Sequence, residues 1–559
     1  MAAARGGGGR RGAPSVAVQL LRSAESLLPV GHPDADLVAA ELADALLNAG
    51  MVAEASGLAE AVLDRPHRED VDLPLRLTRV SALSLQNRPR ELIAWAVSVL
   101  ASPGLGPVHQ ALVLTQASYG RTFSGDFVGG EAAARQAFEL AEGAGDRAMI
   151  VWSLCARSVP VKAQGRYAEG VALARRAVER AFTPVDAEAR LRHPHFFLAI
   201  ALADSDRLEE ARRTYVRAIE ESTELGTAWL LPDMLLLSAE THLLAGQWDD
   251  AAAEFETGLH LAHKHGQRIS IAQSRAYQTV IALARGDLVG ARNRLSDVGA
   301  ELRSEAPVYG AHMVGWAAAL VAEAEDEPEE AFDVLLHFWS HDAEREIRYY
   351  HRYLGPSLVR LGLALGRAEV AREVVATVEG GATLAVEVPS AQSAARRCRG
   401  LLDQDPAALI EAVELARRGG RVLDHAAACE DAASVLARAG RTAEAKDLLV
   451  EAEGIYEAVA ASAWAARAAA ALRRIGVRRG AKGPRRRAET GWDSLTASER
   501  AVSELVAEGL TNREVGRRLH ISPHTVNTHL RHVFQKMSVS TRTELAATLA
   551  RSRQDHAIE

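Results

Sequence analysis

Short and forked polar side chains recur on one side of a segment near the C-terminus. Asn527, Thr528 and Arg531 are spaced so that a helix would place them on the same face. Amide, hydroxyl and guanidinium groups can form the hydrogen bonds that distinguish base edges in the DNA major groove. We therefore expect these three side chains to face bases.

Cations and imidazoles flank this face. Arg513 precedes it, and His524, His529, His532 and Lys536 occupy neighbouring positions. Groups that carry positive charge or donate hydrogen bonds contact phosphates, and such contacts orient a protein on a duplex. We expect these five residues to contact the DNA backbone.

Short helices must hold these groups, and the sequence marks where they start. Thr496 with Glu499 and Thr511 with Glu514 form capping boxes, in which each side chain bonds to the other residue's backbone N–H. Gly509 ends the first helix and supplies a sharp turn. The order of a helix, a tight turn and a second helix is thereby predicted.

A third helix is predicted from Pro523 to about Lys536. Ser522 is its N-cap, and Pro523 fits the first helical position, where no N–H is needed. Its apolar side should pack on the first two helices and leave the polar face exposed. An ordinary solvated helix in a small bundle is the alternative, but it does not explain why caps, core and polar face agree. The apolar residues are Val526, Leu530, Val533 and Met537 on this helix, and Val502, Leu505, Val506, Val515 and Leu519 on the first two.

The segment resembles the LuxR-type (GerE-type) helix-turn-helix domain along that domain's full length. The resemblance implies that the third helix reads the major groove. It also implies that a fourth helix, here predicted after Thr541 with Glu544, often supports a two-fold dimer. Matching positions are Leu495, Thr496, Glu499, Leu505, Gly509, Thr511, Asn512, Glu514, Val515, Leu519, Ile521, Ser522, Thr525, Val526, His529, Leu530, Lys536, Val539, Arg542 and Leu545.

Site roles carried over from this resemblance agree with the residue chemistry. Asn527, Thr528 and Arg531 would face bases. The family often has Lys where this chain has Asn527, so the base preference does not transfer. The residues implied to lie near phosphates are Thr511, Asn512, Thr525, His529 and Lys536.

A turn signal repeats along most of the remaining chain. A small or polar residue, three further residues, and then often an acid and a small residue recur every 36 to 41 positions. Each copy lies between two apolar or amphipathic segments, which predicts stacked helical hairpins that bury their apolar faces between them. The pattern resembles tetratricopeptide-type repeats of longer period. The signals begin at Gly50, Asn87, Gly125, Gly165, Asp206, Gly246, Gly286, Asp326, Gly366, Gln404 and Gly440.

Composition is consistent with an all-α protein. Aromatic residues make up 5% of 559 residues, and no stretch of 18 apolar residues predicts a membrane span. Three isolated cysteines form neither a metal nor a disulfide framework, which is typical of a reducing cytoplasm. From residue 473 onward, 17 Lys and Arg stand against nine Asp and Glu, for a net charge of +8, so the net charge of −8 leaves −16 on the preceding body.

We therefore predict an all-α chain with a tetratricopeptide-like solenoid, a flexible linker and a four-helix LuxR-type domain. The combination resembles the large MalT-like LuxR regulators, which usually carry an N-terminal ATPase domain. No phosphate-binding Gly-x-x-x-x-Gly-Lys-Ser/Thr loop is present in this sequence. The predicted segments are a disordered tail (1–15), helical repeats (16–475), a basic linker (476–491) and the helix-turn-helix domain (492–559).

One aromatic and basic cluster in the repeats has two interpretations. Helix-packing core is favoured, and an effector-binding surface on the solenoid is the alternative. Its members are Trp339, Arg348, Tyr349, Tyr350 and Tyr353. Neither a credible nucleophile set nor a metal site is evident, so we expect no enzymatic activity, no metal and no cofactor.

The favoured hypothesis is a sequence-specific transcriptional regulator, more often an activator in this family. Its expected partners are duplex DNA, a second copy of the chain in a dimer or higher oligomer, and a small-molecule or protein effector on the repeats. RNA polymerase is a further candidate partner. The expected location is the bacterial cytoplasm at the nucleoid, without membrane contact. The alternative is an interaction scaffold with secondary DNA binding.

Overall fold

The computed structural model describes residues 14–29, 31–299, 310–344, 347–477 and 490–556, with only the backbone described for 341–344 and 551–556. Within these ranges the chain is built from helices and contains no β-strand, which confirms the all-α prediction. Residues 1–13 of the predicted tail and 478–489 of the predicted linker lie outside these ranges, while Pro14 and Ser15, predicted as part of the tail, begin the first helix. None of the helices described is both long enough and apolar enough to cross a bilayer.

Paired helices make up the body. Each pair is an antiparallel hairpin, and successive hairpins stack. A first helix, α1 (Pro14–Leu27), precedes the pairs, α10 (Ala187–Arg190) lies between two of them, and α25 (Ser462–Arg474) follows the last. The pairs are α2 (Ala35–Asn48) and α3 (Val52–Leu63), α4 (Glu69–Leu85) and α5 (Pro89–Leu100), α6 (Pro107–Phe123) and α7 (Phe127–Ala144), α8 (Arg147–Ala163) and α9 (Tyr167–Phe182), α11 (Pro194–Asp204) and α12 (Leu208–Leu225), α13 (Leu231–Leu244) and α14 (Trp248–His265), α15 (Ile271–Ala284) and α16 (Leu288–Ser296), α17 (Ala311–Ala324) and α18 (Pro328–Glu344), α19 (His351–Ala364) and α20 (Ala368–Ala382), α21 (Pro389–Asp403) and α22 (Pro406–Gly419), and α23 (Val422–Arg438) and α24 (Thr442–Ala458).

Every predicted turn signal marks the bend of a hairpin. All eleven positions have a positive φ between 52° and 89°, which is left-handed backbone. Glycine adopts this conformation without strain, and Asn and Asp tolerate it better than other residues. The absence of a side chain at Gly246 also gives room to a later hairpin, since a Cβ there would lie 3.1 Å from a side-chain carbon of Val422.

Small residues after these turns let the paired helices approach closely. Ala251 and Ala371 are both fully buried between the helices of their hairpins. A larger side chain at such a position would overpack the contact between the helices. The same full burial holds for Ala211, Ala291, Ala331 and Ala445.

The stacked hairpins coil so tightly that distant turns meet. The amide of Arg268 donates to the carbonyl of Leu85 at 2.9 Å, and the Ser462 hydroxyl donates to the carbonyl of Arg285 at 3.1 Å. The partners in these two contacts are 183 and 177 residues apart. Because the repeat is about 40 residues long, one superhelical turn takes between four and five hairpins.

A buried polar network holds two of these turns together. Arg421 donates to Asp206 and, at 2.8 Å, to the Tyr353 hydroxyl, while the Ser390 amide donates to Asp206 at 2.6 Å. Tyr349 donates to Asp204 at 2.8 Å. This network joins hairpins that are far apart in sequence.

Burial argues against the effector-surface interpretation of the aromatic cluster. Trp339, Tyr349, Tyr350 and Tyr353 are between 4% and 8% exposed, so a ligand outside the solenoid cannot reach them. The Tyr349 ring packs on Tyr350, on Tyr353 and on the buried cation of Arg352, and the Trp339 ring packs on His351. Arg348 alone is half-exposed and lines a small cleft. The favoured alternative, helix-packing core, matches this burial.

The C-terminal domain follows a short 3₁₀ turn at Trp492–Ser494. Its helices are α26 (Ala497–Ala507), α27 (Asn512–Leu519), α28 (Pro523–Met537) and α29 (Arg542–His556). Val526, Leu530 and Val533 of α28 are at most 4% exposed and pack on the apolar residues of α26 and α27. Leu545 and Leu549 of α29 complete this core.

Candidate nucleic-acid interface

The predicted caps fix where the helices of the C-terminal domain begin. Thr496 with Glu499 and Thr511 with Glu514 each form both bonds of a capping box. The Ser522 hydroxyl accepts from the Thr525 amide at 3.0 Å, and Pro523 occupies the first position of α28. These bonds satisfy amides that helix geometry leaves without partners. The direction of α28 is thereby set by local sequence.

The polar face of α28 lies opposite the apolar core, but only part of it is open to solvent, whereas the sequence predicts a fully exposed face. Asn527 and Arg531 are exposed, whereas Thr528 is only 4% exposed. The Thr528 hydroxyl lies 2.8 Å from that of Thr257 on α14. The sequence prediction assumed that nothing else in the chain would cover this face, and α14 of the repeat body covers part of it.

Two further contacts lie at the centre of this junction. The Thr525 hydroxyl donates to Oε1 of Glu254 at 2.6 Å, and Nε2 of His529 lies 2.8 Å from Oδ1 of Asp250. Thr525 and Glu254 are fully buried, and His529 is 2% exposed. Side chains expected to meet phosphates therefore meet carboxylates at a site that excludes water.

Ion pairs surround this centre. Arg513 donates to Glu224 at 2.6 Å, and Arg517 donates to Glu220 at 2.8 Å. Arg531 pairs with Glu256, which also lies 3.2 Å from Nε2 of His532. The Arg513–Glu224 and Arg531–Glu256 pairs are exposed, so each contributes little alone, whereas the Glu220 side chain is only 8% exposed. We name the carboxylates on α12 and α14 that face the domain the acidic platform: Glu220, Glu224, Asp250, Glu254 and Glu256.

The remaining predicted phosphate contacts have partners within the domain. Lys536 donates to both carboxylate oxygens of Glu499 at 2.7 Å, and Asn512 accepts from Arg542. Thr511 is exposed and forms its capping box. These three groups would have to share or exchange those partners in order to meet a phosphate.

Burial shapes the electrostatics of the junction. Burial opposes ionisation of Asp250, but the hydrogen bond from His529 and the nearby His242 hold the pKa of Asp250 below its ordinary value. Burial lowers the pKa of His524, and the nearby Glu254 only partly offsets this effect. Asp250 is therefore held as a carboxylate facing the domain.

Sequence reasoning missed the platform and one cation. Arg517 lies one helical turn after Arg513 and contacts the same carboxylate, Glu220. Glu254 and Glu256 follow the turn signal at Gly246, where acids are common. The only available signal was the general contrast between an acidic body and a basic C-terminus.

One group of metal-ligating types lies elsewhere. His425, Cys429 and Glu451 place their ligand atoms within 4.8 Å of one another. Arg417 already donates to Glu451 at 2.8 Å, and burial raises the pKa of the Cys429 thiol to about 12. A cation competing with the metal and a protonated thiol both disfavour a metal there.

The C-terminal segment is similar to known proteins. Residues 493–549 match the family described as "Bacterial regulatory proteins, luxR family". The chain is 47% identical over 70 residues to an HTH-type transcriptional regulator of Mycobacterium tuberculosis, covering 12% of this chain and 8% of that protein. It is 37% identical over 65 residues to the nitrate/nitrite response regulator NarL of Escherichia coli, covering 12% and 30%. The chain thus spans less than a third of either relative.

The chain is also similar to a solved structure of a Rap protein complexed with competence and sporulation factor. The identity is 13% and the TM-score 0.30, and the likeness covers 77% of this chain and 99% of that chain. That likeness is too loose to assign a function to the repeats. The capped helices, their shared core and the match over residues 493–549 identify the C-terminal segment as a helix-turn-helix domain of the luxR family of bacterial regulatory proteins.

Proposed function

We propose that this protein is a sequence-specific transcriptional regulator that binds duplex DNA through α28. The observation that carries the proposal is the luxR-family match over residues 493–549, in a domain whose capped helices share one core. The same match supports a regulatory rather than an enzymatic protein.

In this proposal the polar face of α28 enters the major groove. Asn527, Thr528 and Arg531 read base edges, because their amide, hydroxyl and guanidinium groups have the required donors and acceptors. The phosphate contacts come from Thr511, Asn512, Arg513, Thr525, His529, His532 and Lys536. Arg517 joins them, since it is exposed beside Arg513.

The body and the oligomeric state complete the proposal. One such domain makes few base contacts, so a dimer or higher oligomer supplies most of the affinity. The repeats bind a small-molecule or protein effector, and the regulator activates transcription with RNA polymerase at the nucleoid. Because the aromatic cluster is buried, the effector must bind another surface of the repeats.

Selection from a pool of random duplexes at low ionic strength tests the proposal. The purified full chain should enrich a shared motif. Asn527→Ala with Arg531→Ala should abolish the enrichment and leave the melting temperature unchanged, because both side chains are exposed. Enrichment of the same motif by this double variant would reject the assigned face. Failure of both the full chain and a variant with a neutralised platform to enrich any sequence would reject the function.

A further inference from the structure

We propose that the acidic platform is a docking surface for the DNA-binding face of this chain's own C-terminal domain, and that duplex DNA competes with the platform for that face. This inference rests on the proposed function. The partner is identified by its chemistry, which is a row of cations, imidazoles and hydroxyls that a phosphate backbone would also bind.

Arginines of the C-terminal domain pair with carboxylates of the acidic platform. Arg513, Arg517 and Arg531 each donate to a platform carboxylate. Carboxylate and phosphate oxygens are both anionic acceptors, and guanidinium groups bind both strongly. The platform thus offers these cations the same type of acceptor as a DNA strand.

The contact between α28 and α14 excludes DNA from the covered part of the polar face. The contact between Thr528 and Thr257 is 2.8 Å long, and Thr525 is sealed against Glu254. A base edge or a phosphate cannot enter a gap that is closed by direct side-chain hydrogen bonds. Any duplex that uses this face of α28 must therefore displace α14.

The platform also buries a charged group, the carboxylate of Glu254. Glu254 is fully buried, and its Oε2 has no hydrogen-bond partner among the described residues. A buried carboxylate is costly when its acceptors are unsatisfied. Among the described residues, the apolar core of the C-terminal domain shares no member with the apolar cores of the body, so the junction is held by polar contacts rather than by a shared apolar core. Such a contact can open when a stronger anionic ligand arrives.

The size of the effect follows from population arithmetic. If the docked form makes up about 90% to 99% of molecules, the apparent affinity for DNA is about 10- to 100-fold weaker than that of the free face. Weakening the platform should recover this factor without any change to a DNA-contacting residue.

The decisive comparison uses two full-length variants of equal charge. The platform variant is Glu224→Lys with Glu256→Lys, at exposed positions that pair with Arg513 and Arg531. The control is Glu139→Lys with Glu179→Lys, at exposed positions on α7 and α9 outside the junction. Both variants change the net charge of the chain by the same amount, so attraction to DNA that depends on net charge alone rises equally in the two.

Two readouts are needed. One is the affinity for a labelled 40-base-pair duplex pool of random sequence, and the other is the rate at which diethyl pyrocarbonate modifies His529 without DNA. The affinity of the platform variant for the duplex pool should be at least about 10-fold higher than that of the control. In the platform variant the reagent should also modify His529 several-fold faster, because α14 covers that side chain in the docked form.

The outcomes separate the two proposals. Equal affinities with equal His529 labelling would overturn the docking surface and leave the proposed function intact. Faster labelling with no duplex binding by either variant would overturn the proposed function and the competition with DNA, while the docking itself would stand.

Discussion

The Thr525 hydroxyl donates a 2.6 Å hydrogen bond to Glu254, although the two residues are 271 positions apart in the chain. Thr525 lies in the first turn of α28, whose start is fixed by the Ser522 cap. The contact therefore orients the whole helix on α14. A local capping signal and a contact between distant parts of the chain meet at one side chain.

Closure of the superhelix is predicted to depend on Arg421. This side chain and Asp206 are each 1% exposed and paired, so Arg421→Met leaves a buried carboxylate without its cation. Removing one partner of such a pair costs about 3–5 kcal/mol. Chemical denaturation should show that loss in the free energy of unfolding.

The matched control is Arg418→Met on the exposed side of α22. It should change the free energy of unfolding by less than about 0.5 kcal/mol. Equal effects of the two substitutions would mean that the buried network does not hold the turns together.

Asp233 is predicted to make stability depend on pH. Burial raises the pKa of this carboxyl to about 6, above its ordinary value of 3.8. The folded state therefore holds the proton more tightly, and this group's contribution to the free energy of unfolding falls as the pH rises from about 4 to 6. Asp233→Asn removes that dependence.

Thermal melts of the parent protein and of Asp233→Asn from pH 4 to 8 would measure this pH dependence of stability. The stability of Asp233→Asn relative to the parent should increase by about 1–3 kcal/mol through this window and then level off. A difference that is constant with pH would show that the carboxyl does not titrate there.

The first capping box is predicted to stabilise α26. Thr496→Ala leaves the Glu499 amide without its acceptor and should cost about 1 kcal/mol. Amide hydrogen exchange in α26 should accelerate about fivefold, since that factor corresponds to about 1 kcal/mol. Thr496→Ser retains the hydroxyl and should exchange at the parent rate. If the serine variant exchanged as fast as the alanine variant, the hydroxyl would not be the source of stability.

Local features of this fold were predictable from sequence. The bends at Gly50 and Gln404 were predicted from spacing because a left-handed turn restricts residue type where it occurs. The Thr511 and Ser522 caps were likewise predicted because they join residues three positions apart. Such interactions need no knowledge of the rest of the molecule.

Interactions that span many repeats were not predictable in the same way. The contact of Arg421 with Asp206 depends on rotations accumulated over several hairpins, and no short pattern encodes it. The covering of Thr528 by Thr257 also requires the position of the whole domain on the body. The exposed face was therefore predicted correctly at Asn527 and wrongly at Thr528.

Sequence-specific DNA binding can be measured by occupancy mapping of the tagged protein in its native cell, beside the Asn527→Ala and Arg531→Ala double variant. We expect sharp genomic peaks that share one motif and vanish in the double variant at equal protein abundance. Peaks that persist in the variant, or a protein that captures partner proteins without enriching DNA, would contradict this expectation.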